Sequence, residues 1–341
     1  MTDSATLHVA AQPGELDVVT VGEALALLMA RQTGPLEQVT QFDRSTAGAE
    51  LNVAVGLSRL GHRVGYVSRL GNDSLGRHLL AFMDAQGIDR RCVEIDSTGL
   101  RTGLMFKTLQ TDGQDPSTEY HRRGSAASRL QPDQQTSAYC AGARWLHLTG
   151  ISPALSDSVR ALVFDLAVQA RSAGCRVSFD PNLRPALWSS PVDMIGCLNA
   201  LALQADLVLP GLAEGRLLTG RNTPSGIADF YRDQGVAEVV VKLGVEGAYY
   251  AGPDGSGTVL PQCVAAVVDT VGAGDGFAVG VISALLEGLD LRAAALRGNA
   301  IGARVVQFPG DNDGLPTRAE LGLSPTGKTA NVVTANPAER S

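Results

Sequence analysis

Charge of one sign never accumulates in this chain. No Lys/Arg run interrupts its 341 residues, the formal net charge is −7 and the pI is about 5.3. The continuous basic face that marks a nucleic-acid protein is therefore excluded. A few local arginines remain able to hold a small anion. The five cysteines, Cys92, Cys140, Cys175, Cys197 and Cys263, form no C-x-x-C pair and join no histidine cluster. Structural zinc is thereby removed, and reduced, buried thiols are the expectation. His8, His62, His78, His121 and His147 share no ligand spacing. No apolar run reaches the length of about 18 residues that a membrane helix needs. The first residues lack the basic-then-apolar pattern of a secretory leader. The expectation is a cytoplasmic protein with neither a nucleic-acid nor a membrane partner. Two phosphate-binding motifs are missing as well. There is no G-x-x-x-x-G-K-[ST], and the one informative G-x-G, Gly272-Ala273-Gly274, has Phe277 where the dinucleotide fingerprint needs Gly or Ala.

What is present is a large apolar fraction, 44%, ample for a sizeable core. Short β-branched or apolar runs, at Leu16–Val21, Val64–Val67, Trp145–Leu148, Arg176–Phe179, Leu207–Leu209 and Val239–Leu243, alternate with helical stretches such as Glu50–Leu60, Val159–Ala173 and Leu291–Val305. This alternation predicts an α/β fold with a mostly parallel sheet covered on both faces by helices. Ligands bind such sheets beyond the carboxyl ends of the strands. Glu23–Ser45 and Thr102–Arg123 break the pattern and read as short strands and turns. Residues 1–15 and 325–341 are polar or small and read as frayed tails.

The densest chemistry lies in Asp269-Thr-Val-Gly-Ala-Gly-Asp-Gly-Phe-Ala-Val-Gly280. Val264–Val268 reads as a strand, Gly272, Ala273 and Gly274 as a turn almost without side chains, and Phe277–Leu286 as the start of a helix. Such a turn leaves backbone N–H groups pointing outward at the positive end of a helix dipole, a site for an anion. Asp275 would repel a resting phosphate there. Its place makes sense if it takes a proton from an attacking hydroxyl while the amides hold a phosphoryl group in transfer. A Gly-rich packing turn is the plainer alternative.

The whole segment resembles the C-terminal signature of the ribokinase-like (PfkB) carbohydrate kinases. Ala47-Gly48-Ala49-Glu50-Leu51-Asn52-Val53-Ala54 resembles their N-terminal signature, and the two stand in the right order. The resemblance implies a three-layer αβα kinase domain over residues 16–320. It also implies a small β-sheet lid, inserted at about 23–45 and 102–123, which often packs on its copy in a homodimer or higher homo-oligomer. Gly48 and Asn52 then meet sugar hydroxyls, or else form only a helix-capping turn. Tyr120-His121-Arg122 through Ala126 and Asp180-Pro181-Asn182-Leu183-Arg184 resemble segments of the 2-keto-3-deoxygluconate kinases. They imply Tyr120, Arg122 and Arg184 around a sugar acid, whose carboxylate suits guanidinium forks. Asp311 matches a sugar-acid position, with Asp313 as competitor, and His121 is a candidate hydroxyl contact. Met105 stands where relatives often carry an aromatic.

On the nucleotide side Lys242, Gly244 and Gly247 match the ATP loop, and Asn299 a position near adenine. Glu214 remains from an Asn-x-x-Glu associated with Mg²⁺, though Gly211 replaces the Asn. Asp269 and the Val271 carbonyl resemble a monovalent-cation (K⁺) site, unless Asp269 merely fixes its turn. The reading is a kinase that uses ATP and Mg²⁺ on a sugar acid. Its rivals are a kinase of 5-keto-2-deoxygluconate, tagatose or fructose, and a sensor that binds without turnover. A nicotinamide dehydrogenase fails on the missing fingerprint.

Overall fold

The computed structural model describes residues 15–110, 116–264 and 266–324. In chain order these residues form β1 (Val18–Val21), β2 (Leu25–Thr33), β3 (Phe42–Ala47), α1 (Ala49–Arg59), β4 (Val64–Gly71), α2 (Ser74–Ala85), β5 (Asp89–Asp96), β6 (Gly103–Leu109), β7 (Thr118–His121) and α3 (Gln134–Ala141). Then come β8 (Trp145–Thr149), α4 (Asp157–Ser172), β9 (Arg176–Asp180), α5 (Pro191–Ala202), β10 (Leu207–Val208), α6 (Leu212–Thr219), α7 (Pro224–Arg232) and β11 (Glu238–Lys242). The chain continues through β12 (Ala248–Gly252), β13 (Gly255–Val259), α8 (Ala273–Leu286) and α9 (Leu291–Val305).

The main sheet has nine strands in the order β13-β12-β11-β10-β9-β8-β1-β4-β5. From β11 to β5 every pairing is parallel, and β12 and β13 add an antiparallel hairpin at one edge. Its central strands are buried on both faces, which is why they read as unbroken apolar runs rather than alternating ones. One core cluster packs Leu146, Phe179 and Val241 against α4, α5 and α7. A second packs Val240 and Tyr66 against α1, α2, α8 and α9. The fold is thus a three-layer αβα arrangement. A separate four-stranded sheet, β3-β2-β6-β7, is formed by the two stretches that broke the helical pattern. Leu25, Leu27, Ala47 and Met105 are buried on its inner face.

Six of the nine helices, α2, α3, α4, α5, α7 and α9, are capped by a Ser, Thr or Asp whose side chain accepts from an amide in the first turn. The other three, α1, α6 and α8, begin at Gly48, Gly211 and Gly272 and have no such side chain. Capping serves stability, and its omission leaves amides for another partner.

Three expectations need correction. Val264–Val268 is not a strand, because no ladder partner meets its described residues. The β12–β13 hairpin occupies that edge of the sheet, and the amides of Val268 and Asp269 bond instead to the Val306 carbonyl at 2.7 and 3.2 Å. Val267 and Val268 remain exposed; β propensity expresses packing, and here there is nothing to pack on. Helix α8 starts at Ala273 rather than Phe277, so Asp275 lies in its first turn. Cys263 is exposed and Cys197 half-buried, unlike the other three thiols. The expected tails lie, except for Glu15, outside the described residues.

Candidate active site

The carboxyl ends of the parallel strands, the glycine starts of α1 and α8 and the inner face of the small sheet enclose a cavity of about 330 Å³. At its floor is Asp275. Its carboxylate accepts from Asn52 Nδ2 at 2.8 Å and from Asn182 Nδ2 at 3.4 Å. Burial raises its pKa to about 7, against the opposing hydrogen bond from Asn52. A carboxylate of that basicity in a cavity is suited to accept a proton from a hydroxyl near neutral pH.

The amides of Gly274 and Asp275 have no acceptor among the described residues, while that of Ala273 is shared with the Thr270 carbonyl at 3.3 Å. Gly274 and Asp275 therefore offer free donors, and Ala273, expected to be a third, is partly engaged. Gly272 is held by conformation and by space: its φ is +84°, and a Cβ there would overlap the carbonyl of Asp311. Lys242 supplies positive charge beside this turn. Its ammonium pairs with Asp180 at 2.6 Å and lies 3.5 Å from where a side chain on Gly274 would begin. Burial pushes Asp180 up to about 6 despite that partner.

The cavity is also lined by Gly48, Asn52, Tyr120, Arg122, Arg184 and Asp311. The two arginines differ in state. Arg122 pairs with fully buried Glu23 through two contacts of 2.6 and 2.5 Å, and lies over the ring of Tyr120. Glu23 also accepts from Ser125 Oγ. Arg184 is exposed at the rim and donates only to the Leu183 carbonyl, at 2.9 Å, with no carboxylate partner among the described residues. The Asp311 carboxylate accepts from Lys107 at 2.9 Å, and Asp313 is exposed. Of the two carboxylates weighed at this turn, Asp311 alone faces the cavity.

Other expected residues lie elsewhere. Glu214 lines the cavity, yet its two oxygens accept from the amides of Leu183 and Gly211 at 2.8 and 2.7 Å. Gly244, Gly247 and Asn299 stand outside the cavity, beside the exposed Val245 and Leu260. The turn Gly244–Glu246 ends at Gly247, which packs on residues 259–261, and Asn299 Nδ2 donates to the Leu260 carbonyl at 2.9 Å. Asp269 is buried behind the cavity wall and touches Lys107. His121 pairs with Glu119 at 2.7 Å, away from the cavity.

Glu23, Glu50, Lys107, Asp180 and Asn182 were not singled out from the sequence. Glu50, Asp180 and Asn182 lie inside the two motifs quoted above. Asn182 has a φ of +39°, a conformation that Asn tolerates better than most residues. Nothing local marks Glu23 or Lys107.

Comparison with known proteins identifies the family and the fold. The profile of the pfkB family carbohydrate kinases matches residues 15–318. A 2-dehydro-3-deoxygluconokinase of Bacillus subtilis is 48% identical over 307 residues, 90% of this chain and 94% of that one. One from Thermoproteus tenax is 34% identical over 315 residues, covering 91% and 94%. Among solved structures, a PfkB protein from Polaromonas sp. JS666 superposes with a TM-score of 0.84 at 53% identity, over 91% of this chain and 100% of that one. A putative ribokinase II from E. coli, in complex with ATP and Mg²⁺, gives 0.82 at 27% identity over 90% and 98%. With this profile over nearly the whole described chain and relatives of this identity, the chain belongs to the pfkB family of carbohydrate kinases.

Proposed function

We propose that the protein phosphorylates the terminal hydroxyl of 2-keto-3-deoxygluconate with ATP, giving the 6-phosphate. The observation that carries this reading is Asp275, a basic buried carboxylate directly beside two unpartnered amides. Asp275 takes the hydroxyl proton as the oxygen bonds to the γ-phosphorus. The bond from that phosphorus to the ADP oxygen breaks, and ADP leaves. The amides of Gly274 and Asp275, with the Lys242 ammonium, receive the charge spread over the transferring group. Positioning and electrostatics dominate such a transfer. Mg²⁺ arrives with ATP. Among the described residues no cluster of three or more His, Cys, Asp or Glu could hold a metal ion alone. A cation that keeps its waters and leans on phosphates, with Glu214 in its outer sphere, fits this.

Arg184, the unpaired guanidinium at the rim, supports a sugar acid over a neutral sugar. Arg122 contributes the donors that Glu23 leaves free. ATP lies beside Gly244, Gly247 and Asn299. The kinase domain spans 16–320 and works in the cytoplasm; among the described residues no helix is long and apolar enough to cross a membrane. The small sheet closes over the sugar. Its outer face, with Leu28, Phe42, Leu104 and Phe106 only half-buried, is covered by the same face of a second copy.

An ATP-consumption screen over 2-keto-3-deoxygluconate, 5-keto-2-deoxygluconate, other aldonates, fructose, tagatose and ribose tests the reading. Turnover is expected to be fastest with 2-keto-3-deoxygluconate. Faster turnover of a neutral sugar overturns the sugar-acid assignment, and binding without ATP consumption leaves a sensor.

A further inference from the structure

Lys107 projects from the inner face of β6 and is 3% exposed. Its ammonium touches two carboxylates at once, Asp269 and Asp311, the latter at 2.9 Å. Asp311 lines the cavity, and Asp269 is buried just behind its wall. Asp269 opens the loop into α8 and accepts from the Val271 amide at 3.0 Å. Asp311 backs directly onto Gly272, as shown by the overlap a Cβ there would cause. Asp269, with the Val271 carbonyl, is where the family resemblance implies a monovalent cation. The residues present do not fit one, because a cation attached to the chain already occupies that carboxylate.

We propose that the Lys107 ammonium stands in for the monovalent cation, as a positioning residue that ties the lid strand β6 to both arms of the anion site and makes turnover independent of added K⁺. An ammonium and K⁺ carry the same charge and are close in size. A second cation on Asp269 would meet the lysine charge at contact distance in a poorly screened interior. Burial by itself would discharge Lys107, but Asp311 and Asp269 outweigh it and hold the group charged above its ordinary pKa. The device differs from a free ion in one respect: it is delivered by the lid. Order in the loop from Asp269 to Asp275 therefore depends on β6 being seated.

The activity arm of the test rests on the kinase reading; a thermal arm does not. Wild type and Lys107→Met are compared in tetramethylammonium buffer while KCl or NH₄Cl is added at constant ionic strength. Wild-type kcat is expected to change less than about twofold, and its melting temperature not to respond to K⁺. Lys107→Met is expected to lose about 10²-fold in kcat, as for a misplaced reacting centre, with a smaller change in sugar KM. K⁺ or NH₄⁺ should restore a large part of that loss and raise the variant's melting temperature. Saturable activation of wild type by K⁺, or K⁺-dependent stabilisation of it, overturns the proposal. So does a folded Lys107→Met protein that keeps wild-type kcat without K⁺ or stays inactive at every concentration. If Lys107→Met does not fold, the wild-type titrations decide alone. If wild type phosphorylates nothing, the kinase reading has failed and the thermal response still judges Lys107.

Discussion

Asp275 holds a proton at a pH where an ordinary aspartate has lost it. Because the proposed role as base needs the deprotonated form, kcat/KM should rise with pH through a limb near 7 and level off above it. Asp275→Asn should lower kcat by about 10²–10⁴ with little change in substrate affinity; near-normal turnover would remove the base. The same residue sets a stability trend. Its folded pKa lies above the unfolded value of 3.8, so between the two the native state binds more protons. Its contribution is present at acid pH and is lost as pH rises through about 7. Asp275→Asn should accordingly be the more stable protein at pH 8 but not at pH 4, as read by denaturant midpoints. The two arginines make a second residue-scale contrast. Arg184→Ala should raise the sugar-acid KM and leave the midpoint alone. Arg122→Ala should raise KM and also destabilise by about 3–5 kcal/mol, since Glu23 is left buried without its partner. An unchanged KM in Arg184→Ala would move the carboxylate contact elsewhere.

At the scale of elements, the glycine starts of α1 and α8 both line the cavity that holds Asp275. Helix α1 brings Asn52 to it, and that hydrogen bond favours the charged carboxylate. Asn52→Ala should therefore shift the limb in kcat/KM to higher pH; a limb that stays put would show that Asn52 does not tune the base. Gly272→Ala forces a side chain into φ +84° against the Asp311 carbonyl. A loss of about 1–3 kcal/mol in stability is expected, with a fall in kcat larger than the rise in KM. The elements themselves were largely legible. Buried parallel strands declare themselves as apolar runs, and Val18–Val21 or Glu238–Lys242 needed no context. Val264–Val268 carried the same signal and failed, because a run of valines cannot say whether a neighbouring strand is available. Asp275 was legible because its glycines and its helix are adjacent in the chain. Lys107 was not, for it meets Asp311 across 204 positions, and a lone lysine in a strand-like stretch looks like any solvated one.

The whole molecule presents one face that a monomer leaves half open. Phe42 and Phe106 stack edge to face at 5.4 Å, and Phe106 meets His121 at 5.6 Å, on the side of the small sheet turned away from the cavity. A sheet of this size holds little core of its own, and a two-fold copy is the simplest cover. Light scattering across dilution should give a dimer or its multiple at micromolar concentration, and Phe106→Asp should shift the mass toward monomer while raising the sugar KM. A fully active wild-type monomer at every concentration would leave the sheet as a flap that works alone.

The contact between Asn52 and Asp275, across 223 positions, has a consequence for how the protein comes into being. Asn52 comes from near the start of the chain, whereas Asp275, the neighbouring Gly274 amide and Asp311 come from near its end, and the two sets meet only when long loops have closed. Local helices form early and such distant pairings late. A chain leaving the ribosome thus completes most of its sheet while still chemically inert, since α8 and the turn carrying Asp311 emerge last. In refolding, turnover should lag the return of the helical signal. A product cut short before Asp311 should be a well-structured but silent protein.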